Sequence, residues 1–366
     1  MSGGALRPLA GQPWLSAADS RRVLAALAAR GQPVRFVGGC VRDGLLGRMG
    51  AGADLDLATA ERPEEVMALL AAAGIRALPT GLSHGTVTAL IDRRRFEITT
   101  LRRDVATDGR RAEVAFSDDF REDAARRDLT INAMSCDGEG RLFDYFGGRE
   151  DLAAGRIRFV GEPSLRIAED YLRILRFFRF FAWYGREPAD AAALAACRAG
   201  VGGLARLSGE RIQAEMMRLL AAACPLPSLR LMAASGVLAA VLEGPTALPR
   251  LERLLALAPE ADPLLRLAAL LRPPPAAADQ AARVAERWRL SRADGERLLA
   301  LVGNELPSLD GAPRDRRQAL YRLGADRYRD LVRLAAADAR PEAAPALAEA
   351  LAAVAAWRAP KLPVSG

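Results

Sequence analysis

The hydrophobic rhythm of the chain changes once, near residue 150. Before that point, short runs of period two alternate with helical stretches. Val34 to Val37 reads as a strand running into Gly38-Gly39. Asp54-Leu55-Asp56-Leu57, Thr86 to Ile91 and Phe96 to Thr100 alternate as half-buried strands do. Ser16 opens an amphipathic helix with Val23, Leu24 and Leu27 on one face, and Gly31 stops it. Pro63 to Ala73 reads as a second helix, with Pro in its first turn and Gly74 at its end. Together these predict an α+β domain around a small mixed sheet. From Asp151 onward the apolar spacing is almost wholly helical. It predicts one long helix from Glu162 to Tyr184 and another from Ser208 to Ala223. Leu271-Arg272-Pro273-Pro274-Pro275 breaks the pattern as a linker or elbow, and no internal repeat stands out.

Composition narrows the chemistry. A length of 366 residues allows two or three domains with a sizeable core. Of 52 basic residues only Lys361 is a lysine, which excludes a Schiff-base enzyme and a P-loop NTPase. The single histidine, His84, excludes zinc sites built on several histidines, and no zinc is expected. The four cysteines are widely spaced, with no CxxC pair, so a reducing, cytoplasmic location is expected. The first residues lack the charged start and apolar core of a signal peptide, and no apolar run has membrane-span length. A net charge of +7 suits a polyanionic partner, although an Arg- and Ala-rich composition also follows from genome base bias. The Ala-rich C-terminal helices serve either a second copy or the chain's own core.

The chemistry-bearing residues begin at Gly38-Gly39-Cys40-Val41-Arg42-Asp43, followed by Asp54-Leu55-Asp56. Residues two apart in a strand face the same way, so Asp54 and Asp56 can aim both carboxylates at one point. That arrangement suits hard cations such as Mg²⁺. Solvent-facing strand positions also produce DxD. Glu97, between Phe96 and Ile98, completes an acidic triad if its strand neighbours that of Asp56, and is otherwise an exposed edge residue. Gly38 and Gly39, between a strand and a helix, let backbone N–H groups approach phosphate oxygens, with Arg42 beside them. In Arg126-Arg127-Asp128-Leu129-Thr130-Ile131-Asn132-Ala133 the arginines can grip phosphates, and Asp128 and Asn132 can bond a ribose. Asp128 alone also reads as a helix cap. Asp170 and Arg173, three apart, share a helix face. They are either a surface ion pair or a reader of base edges. Cytosine and adenine each present an amino donor beside a ring-nitrogen acceptor, and uracil and guanine present the reverse.

These segments, with His84-Gly85-Thr86, Glu97-Ile98-Thr99-Thr100, Glu169-Asp170-x-x-Arg173 and Ser208-Gly209-Glu210-Arg211, occur in one order between about residues 33 and 220. The set resembles the class II tRNA nucleotidyltransferases, the CCA-adding enzymes of the polymerase-β-like superfamily. The resemblance implies a catalytic head over 1–150, a helical neck carrying base recognition over 151–225, and a helical body and tail that bind tRNA over 226–366. It implies Mg²⁺ on Asp54 and Asp56, with Glu97 as third catalytic carboxylate. Gly38, Gly39, Arg42 and Asp43 would hold the triphosphate, and Arg127, Asp128 and Asn132 the ribose and phosphates. Asp170 and Arg173, with Arg176 on the same helix, would meet the incoming nucleotide, and Glu210 and Arg211 would brace that helix. Leu129 replaces the usual Phe, a mild apolar swap. Arg102 to Arg111 lies where complete CCA enzymes carry a mobile loop, and His84 is expected to pack or to lie near phosphate. The implied reaction adds CCA to the tRNA acceptor arm from CTP and ATP. The alternatives are a bacterial poly(A) polymerase and a partial CC- or A-adding enzyme.

Overall fold

The computed structural model describes residues 6–50, 54–82, 85–92, 94–107, 112–271, 277–339 and 343–358. His84, residues 108–111 of the expected loop and the 272–276 breaker lie outside these. The chain forms two compact units, residues 1–177 with 184–200, and residues 178–183 with 201–366.

The first unit is built on strands β1 (Val34–Val37), β2 (Leu55–Thr59), β3 (Arg76–Gly81), β4 (Thr86–Ile91), β5 (Arg94–Thr100), β6 (Arg102–Thr107), β7 (Ala112–Phe116), β8 (Ser135–Cys136) and β9 (Leu142–Phe143). Seven make one mixed sheet in the order β3-β4-β5-β2-β1-β8-β9, and β6 pairs with β7 apart from it. Only β2 and β5 run parallel in the large sheet, with Leu55 opposite Phe96, Asp56 opposite Glu97 and Leu57 opposite Ile98. The period-two pattern explains this pairing. Leu55, Leu57, Phe96 and Ile98 are fully buried on one face. In-register parallel strands then put Asp56 and Glu97 side by side on the other. The apolar face is covered by the helices Ala18–Leu27 and Pro63–Ala72, which bury Val23, Leu27, Val66 and Leu70. Trp14 meets Phe36 edge to face at 5.1 Å between ring centroids.

Three expectations need correction. The first helix starts at Ala18, because Ala17 is extended (ψ 142°) and separates it from a short helix, Pro13–Ser16. Arg102 to Thr107, expected as loop, is strand β6 paired with β7. The long helix from Glu162 to Tyr184 is two, Pro163–Glu169 and Leu172–Tyr184. Asp170 sits between them in extended conformation (φ −157°, ψ 107°). Its Oδ1 accepts the N–H of Leu172 at 3.1 Å, so an Asp that periodicity places inside a helix instead caps the second one. Asp170 and Arg173 therefore do not lie within one continuous helix, Asp170 standing at the cap and Arg173 in the first turn.

The second unit is helical. Gly209–Leu220 presents Ile212, Met216, Leu219 and Leu220 to its core. Gly209 admits nothing larger, since a Cβ there would lie 1.8 Å from the carbonyl oxygen of Arg287. Further along, Leu320, Tyr328, Val332 and Leu347 close a separate apolar cluster.

Candidate nucleotide and metal site

At the polar face of the sheet, β1 ends at Gly38, whose φ of +71° and ψ of −122° turn the chain into the helix Gly39–Leu45. Most side chains resist that conformation. Space forbids one as well, because a Cβ on Gly38 would lie 3.0 Å from Arg127 Nη1 and 4.0 Å from Asp56 Oδ2. The glycine loop, the arginine pair and the acidic strand thus converge within touching distance, although they come from three separate stretches of chain.

Asp56 is the electrostatic focus. Burial, then the neighbouring Glu97 and Asp54, push its carboxyl up from 3.8 to about 6, with Arg127 and Arg42 pulling against them. Asp54, just ahead of β2, and Glu97 are exposed, so of the three carboxylates only Asp56 is half-buried. Among the described residues no three His, Cys, Asp or Glu side chains stand together at metal-binding spacing. A Mg²⁺ ion does not need that, since it takes one or two carboxylates and completes its shell with water and phosphate oxygens. A crowded set of hard oxygens with one carboxyl destabilised by its neighbours fits such a cation. Cys40, in the same loop, is held protonated by burial and by Asp56, its thiol pushed up to about 12, so it is no nucleophile.

Behind the loop runs a network of charged residues. Arg42 donates through Nε and Nη2 to Asp43 at 3.0 and 2.8 Å, and through Nη1 to Asn132 Oδ1 at 2.5 Å. Asn132 Nδ2 donates to Asp128 Oδ1 at 3.1 Å, and Arg176 Nε donates to Asp128 Oδ2 at 2.6 Å. Burial alone would raise the Asp128 carboxyl, but Arg176 and these hydrogen bonds hold it below the usual range. Arg42 is buried, whereas the Arg127 side chain keeps 20% of its surface, so Arg127 is the better placed of the two to meet a phosphate. Asp123 anchors it, accepting from Arg127 Nη2 at 3.1 Å.

The next helix pair grips the same segment. Arg166 donates to the carbonyls of Arg126 and, at 2.9 Å, of Arg127. Arg173 donates to the carbonyl of Arg166 at 2.8 Å, and Glu169 pairs with both arginines. Arg173 and Asp170 are thereby held at the border of the network, Arg173 by Glu169 rather than by Asp170.

Of the expected brace, Glu210 meets a different partner. Glu210 is exposed and pairs with Arg289 at 3.3 Å. Within the second unit, buried Glu215 pairs with Arg179, and Ser228 Oγ donates to the Phe178 carbonyl at 2.6 Å. Arg211 lies on the Gly209–Leu220 helix next to Glu210. Sequence reasoning passed over Asp123, Arg166, Tyr184 and Glu215. The Asp123 spacing to Arg126 and Arg127, three and four residues, was a readable signal. A cavity of about 630 Å³, lined by Arg7, Trp14, Met49 and Arg94 among others, shares no residue with the acidic cluster.

The stretch that holds these residues is similar to known proteins. Residues 34–158 match the poly A polymerase head domain, and residues 190–248 match the probable RNA and SrmB-binding site of polymerase A. The chain is 50% identical over 193 residues to the mitochondrial CCA tRNA nucleotidyltransferase 1 of Danio rerio, covering 51% of this chain and 44% of that protein. It is 40% identical over 200 residues to the CCA-adding enzyme of Bacillus pumilus, covering 54% and 48%. The matched stretch thus spans less than half the length of each of these relatives. The Bacillus stearothermophilus CCA-adding enzyme, solved in complex with CTP, aligns with a TM-score of 0.67 at 29% identity over 90% of this chain and 81% of its own. A CCA-adding enzyme in an apo form aligns at 0.74 over 99% of this chain and 89% of its own, at 22% identity, a likeness of fold. With its glycine loop, acidic strand and arginine segment inside the matched region, the chain is similar to the CCA-adding enzymes over about half its length, and its residues 34–158 to the poly A polymerase head domain.

Proposed function

We propose that the chain adds C, C and A to the 3′ end of tRNA from CTP and ATP without a nucleic-acid template. The observation that carries this reading is the convergence of Asp56, Glu97, Gly38 and Arg127 at one strand edge. In each cycle the 3′-hydroxyl oxygen bonds to the α-phosphorus of the nucleotide, the bond to pyrophosphate breaks, and the hydroxyl proton passes to solvent. Asp54 and Asp56 would hold Mg²⁺, with Glu97 as the third carboxylate. When bound, the ion supplies positive charge to the triphosphate and favours the ionised form of the attacking hydroxyl. Gly38 and Gly39 let phosphate oxygens approach the backbone, and Arg127 sets a fixed positive charge against them.

Asp128, Asn132 and Arg42 form the wall against which ribose and phosphate rest. Asp170 accepts from an exocyclic amino group and Arg173 donates to the neighbouring ring nitrogen, which admits cytosine and adenine and rejects uracil and guanine. We assign the head to residues 1–150, the neck to 151–225 and the body and tail to 226–366, the last gripping the acceptor arm through arginines with salt-dependent affinity. Cys40, Cys136 and Cys197 are buried free thiols, which supports a reducing compartment, and we assign the cytoplasm. Among the described residues no helix is long and apolar enough to cross a membrane.

The test is a tRNA transcript lacking its 3′ CCA, incubated with Mg²⁺ and each labelled nucleoside triphosphate, alone and together. Two C followed by one A is the expected product. A long A tract would assign a poly(A) polymerase, and C alone or A alone a partial enzyme. No incorporation by folded protein would refute nucleotidyl transfer.

A further inference from the structure

We propose that Tyr184 is a positioning residue for nucleotide binding, holding the Arg42–Asp43 pair at the angle from which the loop meets a nucleoside triphosphate, an inference that rests on the nucleotidyl-transfer reading above. Tyr184 is the last residue of the helix Leu172–Tyr184 and lies 141 positions from its partner. Its hydroxyl donates to Asp43 Oδ1 at 3.0 Å. The face of its ring lies against the Arg42 guanidinium, with Cζ 4.4 Å from the centroid, and Arg48 approaches the same ring at 5.7 Å.

The same helix reaches this network a second time, about 12 Å earlier along its axis, where Arg176 bonds Asp128. The contacts therefore close a circuit. Arg176 binds Asp128, Asp128 binds Asn132, Asn132 binds Arg42, Arg42 binds Asp43, and Asp43 binds Tyr184. A loop tied to one rigid helix at two points loses rotation as well as translation. Loss of the Tyr184 contact removes one of these two points, and the Arg42–Asp43 pair is then oriented less firmly.

A role in packing alone would look different. Tyr184 is half-buried, so removing its hydroxyl opens no cavity in the core. Its polar atom goes to a carboxylate of the glycine loop, and its ring covers the one cation that Asp43 and Asn132 already share. Each contact orients a charge, and the two act on the same pair.

The experiment compares the full chain with Tyr184→Phe, Tyr184→Leu, Asp43→Ala and the double variant Tyr184→Phe/Asp43→Ala. CTP affinity is read by calorimetric titration, and KM and kcat on tRNA lacking CCA are read separately. Tyr184→Phe is expected to weaken CTP binding and raise the KM for CTP and ATP alike by about five- to tenfold, the worth of one typical hydrogen bond. Its kcat should stay within twofold and its melting temperature should not move. Tyr184→Leu, which also loses the ring, should weaken binding further. In the Asp43→Ala background, which has no acceptor for the hydroxyl, Tyr184→Phe should add less than a twofold effect, because the two act through one contact. The proposal is overturned if Tyr184→Phe binds CTP within twofold of the parent, if its losses fall on kcat and melting temperature, or if its effect multiplies with that of Asp43→Ala. A parent chain that binds no CTP and extends no RNA overturns the nucleotidyl-transfer reading itself. Normal binding by the parent and Tyr184→Phe together overturns only the role of the tyrosine. Should Tyr184→Leu fail to fold, the Phe variant decides.

Discussion

Replacing Asp56 with Asn tests whether the acidic cluster is a site held ready for a cation at some cost to the fold. The Asp56 carboxyl rises from 3.8 to about 6 through burial and through Glu97 and Asp54. At about 1.4 kcal/mol for each tenfold change in proton affinity, that interval corresponds to about 3 kcal/mol against the carboxylate, an upper figure for a half-buried group. The sign follows from linkage. A carboxyl raised in the folded state favours folding most below its unfolded value near 4, and that contribution is lost as pH climbs through about 6. Asn keeps the shape and removes the charge. Metal-free Asp56→Asn should therefore be more stable than the parent at pH 7.5, by up to about 3 kcal/mol, and the gain should shrink towards nothing near pH 4. Urea unfolding in a chelating buffer at pH 4, 6 and 7.5 measures this directly. Adding Mg²⁺ should raise the midpoint of the parent at pH 7.5 and leave the variant nearly unmoved, because ligation relieves the same repulsion. A variant no more stable than the parent at pH 7.5, or equally stabilised at pH 4, would refute the reasoning.

Further outcomes follow from the neighbouring contacts. Glu215→Ala strips Arg179 of a buried partner and should cost about 3 kcal/mol of stability, whereas Glu210→Ala, at an exposed pair, should leave the urea midpoint of the second unit unchanged. Arg173→Ala should admit UTP and GTP in the tRNA extension assay while reducing incorporation of C and A, since selection by donor and acceptor order is lost. Asp128 is held below the usual carboxylate range, so its contribution to stability is present near neutrality and lost as pH falls through its depressed value. Asp128→Asn should accordingly destabilise the chain at pH 7 and lose that disadvantage in strong acid, read from unfolding midpoints against pH.

Much of the site was legible because its chemistry lies in short local patterns. Alternation alone put Leu55 and Leu57 inside and Asp56 outside, and likewise Phe96 and Ile98 against Glu97, since a strand has no other way to divide its side chains. Glycine at position 38 announced a turn that no other residue makes easily, and the order of the motifs indicated the family. Periodicity failed where a polar side chain competes with the backbone. Asp170 matches a helix pattern on both sides, yet its carboxylate caps Leu172 and breaks the helix in two, because an Asp satisfies a free N–H better at a helix start than inside one. Burial fell to Glu215 rather than Glu210 for a related reason. Both lie on one helix, and only the packing of a second element decides which of them is buried.

By itself, then, the sequence determined which residues could carry charge, metal and phosphate, because those properties belong to single side chains and their near neighbours. The tertiary structure alone decided which of them meet. The packing of the sheet buried Asp56, and the parallel pairing of β2 with β5 placed Glu97 beside it, the two together raising its proton affinity. The return of one helix to the glycine loop joined Tyr184 to Asp43. Contacts between residues far apart in the chain are set by how buried faces fit together, and no local spacing encodes that fit.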